Sequence, residues 1–343
     1  MQFFYEYLGF LSKAVTFLAV FFVMVGIVFS KRGGGKTSPN EGKLRARLLN
    51  KFYASITSAV EEVTLSKAER KVAAVAQKQA AKQAKVTGDR QKVFVLDFKG
   101  DLAASAVESL RHEVTAVLAG AKEGRDEVVV RLESPGGYVP PYGLASSQLQ
   151  RIKDAGIPLT VCVDQIAASG GYMMACIGDK IVAAPFAVLG SVGVVAEVPN
   201  VNRLLKKLDI DYDVVTAGES KRTVTVFGEN TDEGREKFKE QLHKVYDLFK
   251  THVQTHRPQV NIEQIATGES WHAQEAIKYK LVDELKTSDE YLAARAKSAD
   301  LIQLEFVRPK KKQSILKRLI AGAAAELLDE HGKGIAALLT KPH

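Results

Sequence analysis

Ser169 lies in the run Asp164–Ala175, DQIAASGGYMMA, between an apolar, strand-like stretch, Ile157–Val163, and a helix-compatible segment, Tyr172–Ile177. The first turn of a helix leaves backbone N–H groups unpaired, and glycines at its start let a substrate backbone approach them closely. That arrangement suits a serine nucleophile beside an oxyanion site. Taken alone, Ala-Ser-Gly-Gly is also simply a tight turn of small residues. The chemistry therefore depends on what accompanies it.

A serine hydroxyl is a weak nucleophile until a base takes its proton. None of the seven histidines sits in a triad motif, and the GxSxG elbow fails because Ala167 replaces its first glycine. His272 is the least dismissible of them, but it reads as structural or surface. A lysine can serve instead if burial keeps it neutral near neutral pH. Lys221, in the segment Thr216–Arg222, TAGESKR, reads by itself as a solvated surface cation. Glu133–Tyr138, ESPGGY, supplies a second glycine pair, Gly136 and Gly137, and by itself reads as a Pro-Gly turn. Ser191, in a GSVGV run, reads by itself as a turn serine capping backbone.

No HExxH or Cys/His cluster occurs, so no metal and no cofactor are expected. Cys162 and Cys176 read as small buried hydrophobes. Arg32–Thr37, RGGGKT, lacks the first glycine of a phosphate loop, since Ser30 stands there, and it reads as a basic linker.

The elements that must position these residues follow from periodicity. From Lys92, KVFVLDFKG predicts a strand, Ala104–Ala121 an amphipathic helix, Glu127–Leu132 a strand, Gly143–Lys153 a helix and Leu159–Val163 a strand. Alternation of this kind predicts an α/β domain with largely parallel pairing. Ile181–Val198 carries no charge before Glu197, and its Pro185, Gly190 and Gly193 point to short buried strands and turns. Tyr212–Val215 predicts a further strand and Thr231–Thr251 a long helix, and Ile262–Glu284 closes the domain.

The ordered set SPGG, AASGGY, GSVGV, GESK and TGESW followed by EAIKYKLVDE resembles the signal peptide peptidase A family of membrane-bound serine proteases, over roughly Lys92–Leu285. The resemblance implies a Clp protease/crotonase-like α/β fold. It implies Ser169 as nucleophile, Lys221 as general base and Ser191 as the residue that orients the lysine. The oxyanion site would use the N–H of Gly170 with that of Gly137 or Gly136. Relatives assemble into rings, so a homo-oligomer is expected, with Lys221 serving Ser169 of the same or an adjacent protomer. The substrates implied are membrane-associated peptides or envelope proteins. Two other classes compete: a crotonase-like acyl-CoA enzyme, which needs no Ser169/Lys221 pair, and a catalytically dead membrane scaffold.

The rest of the 343 residues is read as attachment. Ala14–Ser30, with Leu8–Leu11 before it, is long and apolar enough to span a bilayer once, without the basic leader and cleavage site of a signal peptide. An inner-membrane anchor is therefore expected. Lys31, Arg32, Lys36, Lys43, Arg45 and Arg47 follow the span against Lys13 before it, which alone places the bulk in the cytoplasm. The family resemblance points to the opposite face. The net charge of +8 gathers near this span and the C-terminus; without aromatic-interleaved basic motifs it favours a membrane surface over nucleic acid.

The domain reading is 1–36 anchor and linker, 37–91 helical extension, 92–300 protease domain and 301–343 basic amphipathic tail. The extension rests on helix formers across Glu41–Lys85, with Ser66 and Glu69 as a capping box starting a second helix. In the tail, Ser314–Leu328 is helical by its apolar face.

Overall fold

Period-two patterning sends alternate side chains of a strand to opposite faces. In β2 (Lys92–Lys99), Phe94, Leu96 and Phe98 join one buried cluster while Val93 and Val95 join another, so this strand is covered on both sides. The computed structural model describes residues 42–75, 90–218 and 221–308. Within it, Lys43–Arg308 forms one compact unit. The expected span at Ala14–Ser30, the RGGGKT linker and the Ser314–Leu328 helix lie outside the described residues. Among the described residues no helix is long and apolar enough to cross a membrane.

The larger sheet runs β1 (Lys43–Leu48), β10 (Asp300–Val307), β2, β3 (Glu127–Glu133), β4 (Leu159–Val163), β6 (Lys180–Ala183) and β9 (Glu284–Leu285). All neighbours pair in parallel except β1 with β10. Parallel neighbours need crossovers, and helices supply them. Of the helices before β3, α1 (Asn50–Thr64) and α2 (67–75) precede β2, while α3 (Val107–Gly120) links β2 to β3. Next, α4 (Val139–Asp154) links β3 to β4. Leu110, Val114 and Val117 of α3 and Tyr142, Leu149 and Ile152 of α4 fill the Phe94 side of the sheet. The opposite side buries Val93, Val95, Val129 and Cys162 against Leu49, Leu292 and Leu301. The mixed α/β fold with largely parallel pairing is as the sequence predicts, and both cysteines are free and buried.

A smaller sheet holds β5 (Ile166–Ala168), β7 (Val188–Gly190) and β8 (Ser270–His272). It joins the larger sheet through a bridge between Ser134 and Ala167. The remaining helices are α5 (Gly170–Ala175), α6 (Asn202–Lys207), α7 (Asp232–His256), α8 (Ile262–Ile265), α9 (Ala273–Ala276) and α10 (Ser288–Ser298).

Four expectations need correction. Helix was expected throughout Glu41–Lys85. It holds for α1 and α2, and Ser66 and Glu69 do form the capping box, with Ser66 N–H donating to Glu69 Oε2 at 2.8 Å. But Lys43–Leu48 is strand, because alternating Lys43, Arg45 and Arg47 with Leu44, Ala46 and Leu48 suits an edge strand and β10 offers it a partner. Correspondingly, residues 301–307, expected in a tail, belong to β10, which lies between β1 and β2. Tyr212–Val215 is not strand: it has no pairing partner among the described residues, and Val215 is 94% exposed. Likewise Ile181–Val198 is core only as far as Val192, and not at Phe186, which is 76% exposed; Val195 is 82% exposed.

One buried charge sets a pH dependence. Glu113 of α3, only 5% exposed, accepts the Phe306 N–H at 2.8 Å. Burial pushes its carboxyl up to about 7, with Asp97 and Glu305 adding to the rise. The folded state therefore retains a proton that the unfolded chain releases, so this contribution is present at acidic pH and is lost as pH rises through 7. Glu113→Gln keeps the carbonyl acceptor without a charge. It is expected to match the parent at pH 4 and to exceed it at pH 8 by up to about 3 kcal/mol in urea unfolding. Equal midpoints at pH 8 would refute this account.

Candidate active site

Ser169 sits at φ 51°, ψ −119°, outside the regions that L-residues ordinarily occupy. Two elements hold it there. The strand before it is β5 and not, as expected, the apolar Ile157–Val163 run, and the helix after it begins at once with Gly170. Its N–H donates to Gly190 O at 2.8 Å and its carbonyl accepts from Met173 N at 2.9 Å. The side chain is half-buried, and among the described residues its hydroxyl hydrogen-bonds to no other group. A non-glycine residue held in such a conformation costs about 1–3 kcal/mol and persists only where the surroundings over-determine it.

Those surroundings begin with Ser134, fully buried in the ESPGGY turn. Tyr142 Oη donates to Asp101 O at 2.9 Å, so the Ser134 hydroxyl donates to Tyr142 Oη at 2.6 Å and is left to accept the Gly136 N–H at 3.1 Å. Ser134 backbone atoms meanwhile bond Ile166 and Ala168, at 2.8 and 3.0 Å. Sequence reading noticed the glycines of this turn but not Ser134 or Tyr142. The signal was present as a serine two residues before Gly136, the spacing of a side-chain-to-backbone turn.

Gly136 has φ +92°, and a methyl there would fall 2.7 Å from Ser169 Cβ and 2.8 Å from Gly170 N. The two glycine-bearing turns are thus in close packing. Neither the Gly137 nor the Gly170 N–H has an acceptor among the described residues.

Ser169 opens onto a cavity of about 550 Å³ that Gly137 and Ser191 also line. Ser191 lies directly after β7 at φ 53°, its N–H donating to Glu269 O at 2.6 Å. The opposite wall is one face of α7: Lys239, Leu242, His243 and Tyr246, at the i, i+3, i+4, i+7 spacing of a single helix side. The sequence predicts this helix, beginning at Thr231, whose side chain caps it, but not the side it turns to Ser169. Two contacts fix the helix. Buried Arg257, just beyond its end, forms a bidentate pair with Asp283, and His252 Nε2 donates to Met173 O at 2.9 Å. Burial lowers the His252 pKa, so the ring makes that bond uncharged at neutral pH.

A narrower hollow beside Ser169 is lined by Met173, Val194, Val245 and Phe249. Among the described residues no His/Cys/Asp/Glu group could hold a metal.

Lys221 is not part of this arrangement in a single chain. It is exposed, does not line the cavity, and its backbone N–H donates to Gly218 O at 3.1 Å. His272 bonds Phe186 O through Nδ1 at 3.0 Å and lies outside the cavity.

The family model described as Peptidase family S49 matches residues 151–302, and Peptidase family S49 N-terminal matches residues 2–149. The chain is 45% identical over 322 residues to the probable protease SohB of Haemophilus influenzae, covering 90% of both chains. It belongs to peptidase family S49. Two further relatives of similar extent are SohB proteins of Buchnera aphidicola. The probable protease SohB of subspecies Schlechtendalia chinensis is 43% identical over 312 residues, covering 86% of this chain and 100% of that one. The putative protease SohB of subspecies Baizongia pistaciae is 39% identical over 334 residues, covering 93% and 94%. As an S49 peptidase the chain needs an activated nucleophile or water at a carbonyl; Ser169 lines the cavity with a hydroxyl that is free among the described residues, and the unpaired Gly137 and Gly170 N–H groups lie beside it.

Proposed function

We propose that the chain is a membrane-anchored serine endopeptidase in which Ser169 attacks the peptide carbonyl and Lys221 removes its proton. The observation that carries this reading is the strained, unbonded Ser169 facing the cavity between two glycine turns. Attack by Oγ on the carbonyl carbon sends the serine proton to the neutral lysine amine and charge to the carbonyl oxygen. The N–H groups of Gly170 and Gly137 receive that oxyanion. Gly137 is preferred to Gly136 because the Gly136 N–H is already given to Ser134 Oγ. Collapse breaks the C–N bond, the lysine ammonium protonates the leaving amine, and water then hydrolyses the acyl-enzyme. Ser191, at the cavity wall, orients the lysine amine. The apolar hollow at Met173, Val194 and Phe249 suits a small apolar side chain at the scissile residue.

The base comes from a second copy of the chain. Lys221 is solvated in one chain, whereas a lysine base needs burial to stay neutral. The segment around it carries uncovered apolar side chains, Leu204, Leu208, Tyr212 and Val215, which a neighbouring protomer would bury. The Clp protease/crotonase-like assignment and the bilayer anchor at Ala14–Ser30 belong to the same reading; the anchor rests on the apolar run alone. Membership of a peptidase family favours this over the acyl-CoA enzyme and the dead scaffold.

The test is complementation. Purified Ser169→Ala and Lys221→Ala proteins, each inactive on a fluorogenic peptide, are expected to regain activity when their subunits are exchanged. Mixed oligomers that form but stay inactive would exclude the shared site.

A further inference from the structure

We propose that Lys239 anchors a carboxylate-binding subsite in the cavity, so that preferred peptides present a carboxylate, from a side chain or the chain end, to the α7 wall. The inference rests on the reading of this cavity as the peptide site. Among the described residues lining it, Lys239 is the single formally charged one and none is a carboxylate. The other walls are glycine, apolar or hydroxyl-bearing residues. Its charge is also unspent. Lys237 and Lys250 of the same helix pair with Glu233 and Asp247, at 2.9 and 3.0 Å, while Lys239 has no ion pair or side-chain hydrogen bond among the described residues.

Of its companions on that face, Leu242 is apolar and Tyr246 is occupied, its hydroxyl donating to Ala266 O and its ring lying under the Lys250 ammonium at 4.7 Å. His243, one turn from Lys239, has a ring without a hydrogen bond among the described residues and adds an N–H donor to the same ligand. The helix that carries this exposed lysine is fixed to α5 by His252 and beyond its C-terminus by Arg257, so the cation's point of attachment beside the cavity is set. A cation facing a largely apolar cleft with no internal counter-ion selects a substrate that brings one.

The experiment reads binding without hydrolysis, by fluorescence anisotropy on the Ser169→Ala protein. Three fluorescein-labelled peptides share one apolar sequence, Ala-Ala-Leu-Ala-Ala-Leu: one with a free C-terminal carboxylate, one amidated, and one amidated with a Glu added before the end. The carboxylate peptides are expected to bind about three- to tenfold tighter than the amide at low ionic strength, the range a partly solvated ion pair supplies. The gap should narrow at 0.5 M salt, where the screening length is about 4 Å. Adding Lys239→Gln is expected to bring the ratio to about one, and Lys239→Glu to reverse it towards a peptide carrying Lys. Whichever carboxylate peptide shows the larger ratio identifies the source. A Ser169→Ala protein that binds all three alike, or none, overturns the proposal, as does a ratio that survives Lys239→Gln. If the ratio behaves as expected but the parent protein cleaves no peptide, the peptidase mechanism fails and the subsite stands; cleavage with no charge preference does the reverse.

Discussion

Ser169→Ala is expected to lower peptide hydrolysis by about 10⁴-fold or more while leaving the fold intact. The variant removes a hydroxyl that bonds to nothing among the described residues, so its unfolding free energy should stay within about 0.5 kcal/mol of the parent. Lys221→Arg should be as inactive. A guanidinium keeps its proton and cannot accept the one from serine, although it preserves the charge of an exposed position. Both are read as turnover of a fluorogenic peptide by protein free of other proteases, with thermal unfolding beside it. Near-normal turnover by either variant would remove the Ser169/Lys221 mechanism. Loss of turnover accompanied by a collapsed melting temperature would make the effect structural instead.

Gly136→Ala is expected to cost about 100-fold in hydrolysis although the residue itself touches no reacting atom. The added methyl meets Ser169 Cβ at 2.7 Å and Ala168 O and Gly170 N at 2.8 Å, and none of those atoms can swing aside. The φ of +92° also penalises any residue with a Cβ. Ser169 and the Gly170 N–H must therefore shift, and misplacement by about 1 Å is worth about that factor. The fold should lose about 1–3 kcal/mol as well. Gly143→Ala is the matched control: it lies inside α4 with nothing within 4 Å of the new methyl, and it is expected to raise stability by up to about 1 kcal/mol. Normal turnover by Gly136→Ala would mean that the glycine turn does not hold the serine as described.

The parts of the molecule that were readable from sequence are those whose signal is local. β2, β3 and β4 are apolar runs bounded by turns, and Ser66 with Glu69 announces a helix start within four residues. The Ser169 turn is legible for the same reason, as small residues between two periodic segments. β1 was not. Lys, Leu, Arg and Ala are good helix formers, and what makes KLRARL a strand is a partner at Ile302–Val307, far along the chain. Tyr212–Val215 fails in the opposite direction: β-favouring residues stay out of any sheet because no partner strand reaches them among the described residues. The α7 wall shows the same limit in the site. Periodicity gives the helix, yet which of its faces looks at Ser169 depends on Arg257 meeting Asp283 and His252 meeting Met173, contacts that no window of sequence contains.

The antiparallel pairing of β1 with β10 also dictates an order of events during biosynthesis. β1 leaves the ribosome early, but Leu48 cannot meet Ile302 until roughly 250 further residues have been translated, about 13–50 s at ~5–20 residues per second. β2 waits for the same neighbour on that flank, because β10 lies between them, though its pairing of Lys92 with Asp300 spans roughly 210 residues. The nascent sheet thus grows from β2 through β3, β4 and β6 with one side open, and its last strand to arrive closes two edges at once. Through that interval Lys43, Arg45 and Arg47 keep β1 a poor template for a strand of another nascent chain. The same basic strand that borders the finished sheet thereby guards the unfinished one against aggregation.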